Sequence, residues 1–139
     1  MAKTVVVDSD AIYAIYIPKD PLNSKATKTF QKLIENELRL VYPTSVLFES
    51  ISLFQRASPL PEVAEMLADM IKNDELQICV IDNGLLKASI NIFKAAGSKK
   101  NTLVDCSVVA VSKRIKADGV FAYDRFYLKQ GLKQAEDLI

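Results

Sequence analysis

The 139-residue sequence contains no histidine and only two cysteines, Cys79 and Cys106. Without histidine the chain has no Ser-His or Cys-His nucleophile pair and no histidine metal ligand. Both cysteines lie in apolar surroundings, so we expect buried free thiols and neither a disulfide nor an ordinary zinc site. Any catalysis must therefore depend on carboxylates, lysine, serine or a bound hard cation.

Long apolar runs and an excess of one charge are also absent. No uncharged apolar stretch approaches the roughly 18 residues of a membrane span, and the run after Lys3 is interrupted by Asp8 and Asp10, unlike a signal peptide. We therefore expect a soluble cytoplasmic protein. A net charge of +1 excludes a strongly basic nucleic-acid coat but allows a local basic patch. With 50% hydrophobic residues and four glycines, residues 1–139 are expected to fold as a single domain.

Apolar runs typical of strands alternate with helical patterns along the whole chain. The predicted strands cover residues 5–7, 38–42, 76–81 and 120–123, with a short edge strand near Ala135. The predicted helices cover residues 11–17, 22–36, 44–57, 62–72 and 102–117, and a further helix follows Asp82 and ends near residue 96. Strands separated by helices indicate an α/β fold, a three-layer α/β/α sandwich with a mainly parallel sheet of four to five strands.

Carboxylates follow two of the predicted strands and lie on two of the predicted helices. The continuous β-branched run at residues 5–7 predicts a strand buried on both faces, and Asp8 stands at its carboxyl end, where ligands of open α/β sheets bind. Asp124 follows the last strand in the same way, whereas Glu49 and Asp105 lie on helices. In one cleft these acids would repel one another, and a divalent cation would relieve the repulsion. An all-oxygen site suits Mg²⁺ or Mn²⁺.

The helical acids also have structural explanations, which stay open at the level of sequence. Glu49 borders an apolar helix face and fits a solvated residue paired with Arg56. Asp105 lies among apolar residues, which predicts that it is mostly buried, but with Thr102 it also fits a capping box. Asp82 follows a strand and precedes an Asn-Gly pair and a helix, so we interpret it as an N-cap.

Four segments in order resemble the PIN-domain ribonucleases, of the kind found as VapC toxins in bacterial and archaeal toxin–antitoxin pairs. They are VVVDSDAI around Asp8, SVLFES around Glu49, TLVDCSVVAVSKR around Asp105 and VFAYDRFY around Asp124. The resemblance covers nearly the whole chain and implies that these four acids are catalytic and hold one or two Mg²⁺ or Mn²⁺ ions. It also implies an endoribonuclease that hydrolyses RNA phosphodiesters to 3′-hydroxyl and 5′-phosphate ends.

Three positions beside these acids bear on the resemblance. Ser9 and Asp10 follow Asp8 where the family favours small or polar residues that help to order the site. Asp10 also fits a cap for the helix that begins at Ala11. Ala122 stands two residues before Asp124, where the family often has Thr or Ser, so a hydroxyl that would order a water or the neighbouring acid is missing.

The resemblance implies three partners: an RNA substrate, a small antitoxin protein and a second copy of the chain in a homodimer. Basic residues flank the predicted acidic cleft, and we interpret them as phosphate contacts, with an ordinary solvated charge as the alternative for each. They are Arg56, Lys99, Lys100, Arg125 and Lys129.

Two other functions fit parts of the sequence. Asp8-Ser9-Asp10 after a strand matches the nucleophile motif of haloacid-dehalogenase-like phosphatases, although no acid pair follows a later strand. A PIN fold that binds RNA or a protein without cleaving is the alternative from a different class. Mn²⁺-dependent RNA cleavage that is lost on substitution of Asp8 or Asp105 distinguishes the nuclease from both.

Overall fold

A four-stranded parallel sheet forms the centre of the computed structural model, which describes residues 2–96 and 100–139. The strands lie in the order β3-β2-β1-β4, and every neighbouring pair is parallel. The parallel α/β sheet predicted from the sequence is thereby confirmed. The strands are β1 (Thr4–Val7), β2 (Arg39–Pro43), β3 (Gln77–Cys79) and β4 (Gly119–Phe121).

Strand β1 is central, with β2 on one side and β4 on the other. Val5 pairs with Leu40 of β2, and Val6 pairs with Val120 of β4. Val5, Val6 and Val7 are all buried, because helices cover both faces of the sheet and leave this strand no solvent side. The carboxyl ends of β1 and β4 consequently lie side by side, which brings the segments after Val7 and Phe121 together.

Helices flank the sheet, as the alternation of patterns predicts. They contribute apolar side chains to the same buried core as β1, among them Ala11, Val46, Phe54 and Val108. None of the described helices is long and apolar enough to cross a membrane. The helices are α1 (Ser9–Tyr16), α2 (Asn23–Glu35), α3 (Thr44–Ala57), α4 (Glu62–Lys72), α5 (Asn83–Ala96), α6 (Leu103–Arg114), α7 (Phe126–Lys129) and a 3-10 helix at Ala135–Leu138.

The structure differs from the prediction at two sheet edges. The edge strand expected near Ala135 is reduced to one parallel bridge between Gln134 and Val120, because the chain turns at once into the 3-10 helix. Strand β3 is shorter than predicted and only partly buried, as befits an edge strand. Both cysteines are free thiols; Cys106 is buried as expected, whereas Cys79 on β3 is partly exposed.

Candidate active site

Asp8 joins the central strand to helix α1. Its side chain accepts a hydrogen bond from the Ser9 backbone N–H (2.7 Å to Oδ1), so Asp8 itself is the N-cap of α1. The Asp8 side chain is 2% exposed. Burial raises the pKa of Asp8 well above its usual range, and the nearby carboxylates of Asp10 and Asp105 raise it further. Asp8 is therefore a buried acid in a field of like charge.

Asp10 connects α1 to the end of β4. It does not cap the helix, as one interpretation of the sequence had it, because α1 already begins at Ser9. Its Oδ2 instead accepts hydrogen bonds from the backbone N–H groups of Tyr123 (2.9 Å) and Asp124 (3.2 Å). Its Oδ1 is buried and has no hydrogen-bond partner within the described residues. Burial raises the pKa of Asp10 to about 6, although these backbone donors oppose the shift.

Glu49 reaches the same region from α3. The Ser9 hydroxyl donates to Glu49 Oε1 at 2.5 Å. The alternative pairing with Arg56 is not formed in the part of the chain that the structure describes. Arg56 is seven residues further along α3, which places it about 10 Å away along the helix axis.

Asp105 has both of the roles that the sequence left open. The predicted capping box is confirmed: the Thr102 backbone N–H donates to Asp105 Oδ2 (3.0 Å), and the Asp105 N–H donates to the Thr102 hydroxyl (3.4 Å). Asp105 is half-buried, which is less than the apolar sequence around it predicts. Burial raises its pKa, and the carboxylates of Glu49 and Asp124 raise it further. Asp105 therefore caps α6 and also belongs to the group of acids around Asp8.

Asp124 lies at the exposed edge of the group. Its Oδ1 accepts from the Phe126 backbone N–H (2.8 Å), and its Oδ2 accepts from the side-chain amide of the buried Asn101 (3.4 Å). Ala122, two residues earlier, is buried and supplies no hydroxyl. The Asp124 carboxylate consequently has one local contact with the backbone and one long contact with an amide.

Tyr127 is a site residue that the sequence did not single out. Its hydroxyl donates to Asp8 Oδ2 at 2.7 Å and lies 3.3 Å from Asp105 Oδ1. Burial and the Asp8 carboxylate raise the pKa of Tyr127, so the phenol stays protonated and acts as a donor. One signal was present in the sequence: a tyrosine beside Phe126, just after an apolar strand, is expected to be buried and therefore to need a partner for its hydroxyl.

The basic residues predicted to bind RNA are at the surface where the structure describes them. Arg125 follows Asp124 directly, and Lys129 ends α7 one turn later. Lys100 is exposed and precedes Asn101, the donor to Asp124, whereas Lys99 lies outside the described residues. Arg56 is exposed and lies about two helical turns beyond Glu49 on α3.

The donor set fits a hard divalent cation, although the described residues do not form a complete metal cage. Across the described ranges, no three acidic or thiol side chains are arranged to hold a metal ion as they stand. However, neighbouring carboxylates raise the pKa values of Asp8 and Asp105, and the buried Asp10 Oδ1 has no hydrogen-bond partner among the described residues. A Mg²⁺ or Mn²⁺ ion would offset the repulsion between these carboxylates, since carboxylate oxygens are its preferred ligands. Asp8 and Asp105 are the central pair, with Glu49 and Asp124 beside Asp105.

Comparison with known proteins agrees with this geometry. The family model for the PIN domain matches residues 5–129. Among solved structures, the chain is similar to the crystal structure of Mycobacterium tuberculosis VapC20, described as a toxin that cleaves the sarcin–ricin loop. The TM-score is 0.79 at 16% sequence identity, and the match covers 94% of this chain and 97% of VapC20.

No curated protein is detectably similar to this chain in sequence. The family match nevertheless includes the strand that ends at Asp8, the two helices that carry Glu49 and Asp105, and the loop with Asp124. It therefore replaces the haloacid-dehalogenase alternative, which explained the Asp8 segment alone. The chain belongs to the PIN domain family.

Proposed function

We propose that this chain is a divalent-metal-dependent endoribonuclease whose catalytic acids are Asp8, Glu49, Asp105 and Asp124. The observation that carries the proposal is the convergence of carboxylates from separate elements: the pKa of the buried Asp8 is raised by Asp10 and Asp105, and the pKa of Asp105 is raised by Glu49 and Asp124. In the described residues, the hydrogen bonds to Asp8 and Asp105 come from backbone N–H groups and a tyrosine hydroxyl, not from lysine or arginine. The negative charge is thus left for a cation to balance.

The residues of the site would have different roles in binding the cation and in positioning the acids. Asp8 and Asp105 would bind the cation, and Asp10 would fix the backbone that carries Asp124. Ser9 would hold Glu49 toward the same site. When bound, Mg²⁺ or Mn²⁺ would activate a water and stabilise the oxygens of an in-line phosphodiester displacement.

Phosphate binding is proposed for the basic residues near the acids. Arg125 and Lys129 follow Asp124 on the chain, and Lys100 precedes Asn101, whose side-chain amide donates to Asp124. Contacts to phosphates position a nucleic acid without reading its sequence, so these residues would place the scissile bond and leave target choice to other contacts. Arg56 and Lys99 are proposed as further phosphate contacts.

We further propose that the protein is the toxin of a type II toxin–antitoxin pair, a single 1–139 domain that acts in the cytoplasm as a homodimer and is bound by a small antitoxin. An apolar groove of about 300 Å³ between α3, α4 and β3 supports a protein partner. Phe48, in the wall of this groove, is 77% exposed. Large exposed apolar side chains of this kind mark interaction surfaces. The groove is lined by Thr44, Leu47, Phe48, Ile51, Ser52, Ile71 and Ile78.

RNA cleavage by the wild type and two variants, Asp8→Ala and Asp105→Ala, tests the nuclease. The RNA panel should contain transfer, ribosomal and messenger fragments, and a sarcin–ricin hairpin because VapC20 is described as cleaving that loop. We expect Mn²⁺-dependent cleavage with 5′-phosphate products and a loss of at least about 100-fold in both variants, since even residues that only support metal ligands cost 10–100-fold. Unchanged circular dichroism spectra would show that the variants fold.

A non-catalytic RNA- or protein-binding module is the second candidate. Two observations favour it: the buried Ala122 supplies no hydroxyl beside Asp124, and no metal cage is complete in the described residues. The same experiment separates the two functions. Wild-type protein that binds RNA and cleaves none of the panel with Mg²⁺, Mn²⁺ or another divalent cation is a binding module.

A further inference from the structure

One hydroxyl group connects two acids that come from opposite ends of the chain. The Tyr127 hydroxyl donates to Asp8 Oδ2 at 2.7 Å and lies 3.3 Å from Asp105 Oδ1. The other oxygen of each acid is already fixed by a backbone N–H, from Ser9 for Asp8 and from Thr102 for Asp105. Three of the four carboxylate oxygens therefore accept a hydrogen bond, and the fourth, Asp105 Oδ1, lies within reach of the same tyrosine hydroxyl.

The shared hydroxyl limits how far apart the two acids can be. Because Asp8 Oδ2 and Asp105 Oδ1 both lie within hydrogen-bonding distance of one oxygen, they are no more than about 6 Å apart. Two oxygens bound to one Mg²⁺ are at most about 4 Å apart, since each Mg–O distance is about 2.1 Å. Tyr127 thus keeps the two carboxylates within a short distance of the spacing that a shared ion requires.

Tyr127 itself is well fixed. Its side chain is 1% exposed, and its ring packs edge-on against Phe126 with ring centroids 5.5 Å apart. Its carbonyl oxygen accepts from the backbone N–H groups of Gln130 (3.1 Å) and Leu132 (3.0 Å). A ring held in this way has little rotational freedom left to lose when its hydroxyl orients a carboxylate.

We propose that Tyr127 is a positioning residue that pre-assembles the Asp8 and Asp105 carboxylates for a shared divalent cation. The inference rests on the proposed function, because it gives the two acids a metal to bind. A carboxylate oxygen has two lone pairs, so Oδ2 of Asp8 can accept from Tyr127 and still face a cation. Partners that orient metal ligands in this way typically contribute 10–100-fold to metal affinity or activity.

The test is the Tyr127→Phe variant, which keeps the ring and removes only the hydroxyl. Mn²⁺ binding to the RNA-free protein is measured by calorimetry, and RNA cleavage is measured over a range of Mn²⁺ concentrations. We expect the Mn²⁺ dissociation constant to rise about 10- to 100-fold, while kcat at saturating Mn²⁺ stays near the wild-type value. Tyr42→Phe is the matched control, because it removes another tyrosine hydroxyl from a ring that packs on the core, and its Mn²⁺ affinity should be unchanged.

Two results would overturn the proposal. Equal Mn²⁺ affinity in Tyr127→Phe and wild type would mean that the hydroxyl serves stability alone. Tighter binding in the variant would mean that the hydroxyl competes with the cation for Asp8. Wild-type protein that neither binds Mn²⁺ nor cleaves RNA would overturn the proposed function as well, whereas an active wild type with an unaffected variant overturns only the role of Tyr127.

A second pair of variants covers a failure of Tyr127→Phe to fold. Asp10→Asn removes a neighbouring charge that opposes the ionised form of buried Asp8, and so reduces the cost of losing the tyrosine donor. The Mn²⁺ dissociation constants of Asp10→Asn and Asp10→Asn/Tyr127→Phe are then compared. We expect the dissociation constant of the double variant to be about 10- to 100-fold higher than that of Asp10→Asn. Equal dissociation constants would reject the proposal.

Discussion

Asp8 and Asp82 occupy matching local positions but lie in opposite electrostatic surroundings. Each follows a strand and opens a helix, and each side chain accepts from a backbone N–H in the first turn: Ser9 for Asp8 and Leu85 (2.8 Å) for Asp82. Asp82 is exposed and paired with Arg114 at 2.7 Å, and this guanidinium lowers its pKa. Asp8 is buried and surrounded by other acids, and its pKa is raised.

The contrast shows what separates a structural acid from a candidate catalytic one in this fold. In both places a strand is followed by an acid that caps a helix, so this order of elements does not distinguish them. The difference is the charge that compensates the carboxylate: Asp82 has an arginine, whereas Asp8 has only hydrogen-bond donors among the described residues. A carboxylate buried without a counter-charge is costly unless a ligand supplies one.

The largest expected effect is the response of the two acids to Mn²⁺. At an Mn²⁺ concentration of about 100 times the dissociation constant, binding should stabilise the wild type by about 2.7 kcal/mol, which is roughly 10 °C in Tm. Asp8→Asn should lose this shift, because it removes a central ligand, and Asp82→Asn should keep it. Differential scanning fluorimetry with and without Mn²⁺ gives both values, and a full shift in Asp8→Asn would refute the assignment of Asp8 as a metal ligand.

The next largest effect is on the pH dependence of stability, which we expect to have one sign for Asp8 and Asp10 and the opposite sign for Asp82. The folded-state pKa values of Asp8 and Asp10 are both raised, so the contribution of each to stability is complete below about pH 4 and is lost as the pH rises through its folded-state pKa, which for Asp10 is about 6. The lowered pKa of Asp82 acts in reverse: its contribution is present above about pH 4 and is lost as the pH falls.

Urea unfolding of metal-free protein from pH 4 to 8 measures this dependence. We expect Asp10→Asn to reduce the loss of stability between pH 4 and 7 by about 2 kcal/mol, because the titrating group is gone. Mn²⁺ should counteract the loss most at high pH, since the ligands must be deprotonated to bind it. A wild-type stability that rises with pH in the absence of metal would contradict the raised pKa values.

The smallest effect is expected for Arg114→Ala. The pair with Asp82 is exposed to solvent, and exposed ion pairs contribute little to stability. RNA cleavage and Mn²⁺ affinity should be unchanged, and the small decrease in Tm should diminish further in 1 M NaCl, where exposed charges are screened. Loss of cleavage in this variant would show that the Asp82 region takes part in function after all.

The sequence predicted those parts of the fold that depend on local pattern. The β-branched run of β1 and the Thr102–Asp105 capping box both appear in the structure, because burial on two faces and the geometry of a helix start act on adjacent residues. The prediction of an edge strand near Ala135 was wrong, because the structure has only a single bridge there. An edge strand is hydrogen-bonded to a neighbour on one side only, so its sequence pattern is a weaker predictor of strand structure.

The contacts that organise the candidate site were the part that the sequence could not supply. Asp10 binds backbone groups more than 110 residues away, and Tyr127 joins Asp8 to Asp105 across three separate elements. The local pattern predicted that Asp10 caps a helix, and it did not distinguish Tyr127 from the other aromatic residues. Only the adjacency of β1 and β4 in the sheet creates these neighbours, and strand order is a property of the whole chain.

The central place of β1 has a consequence for how the protein tolerates local motion. A strand that is hydrogen-bonded along both edges exchanges its amide protons only when much of the domain opens. Asp8 is attached to the end of that strand and donates its own N–H to the Phe121 carbonyl at 3.0 Å. Because Asp8 is tied to this strand, we expect its carboxylate to keep its position during local opening, whereas Asp124 lies on an exposed loop and has more freedom to shift.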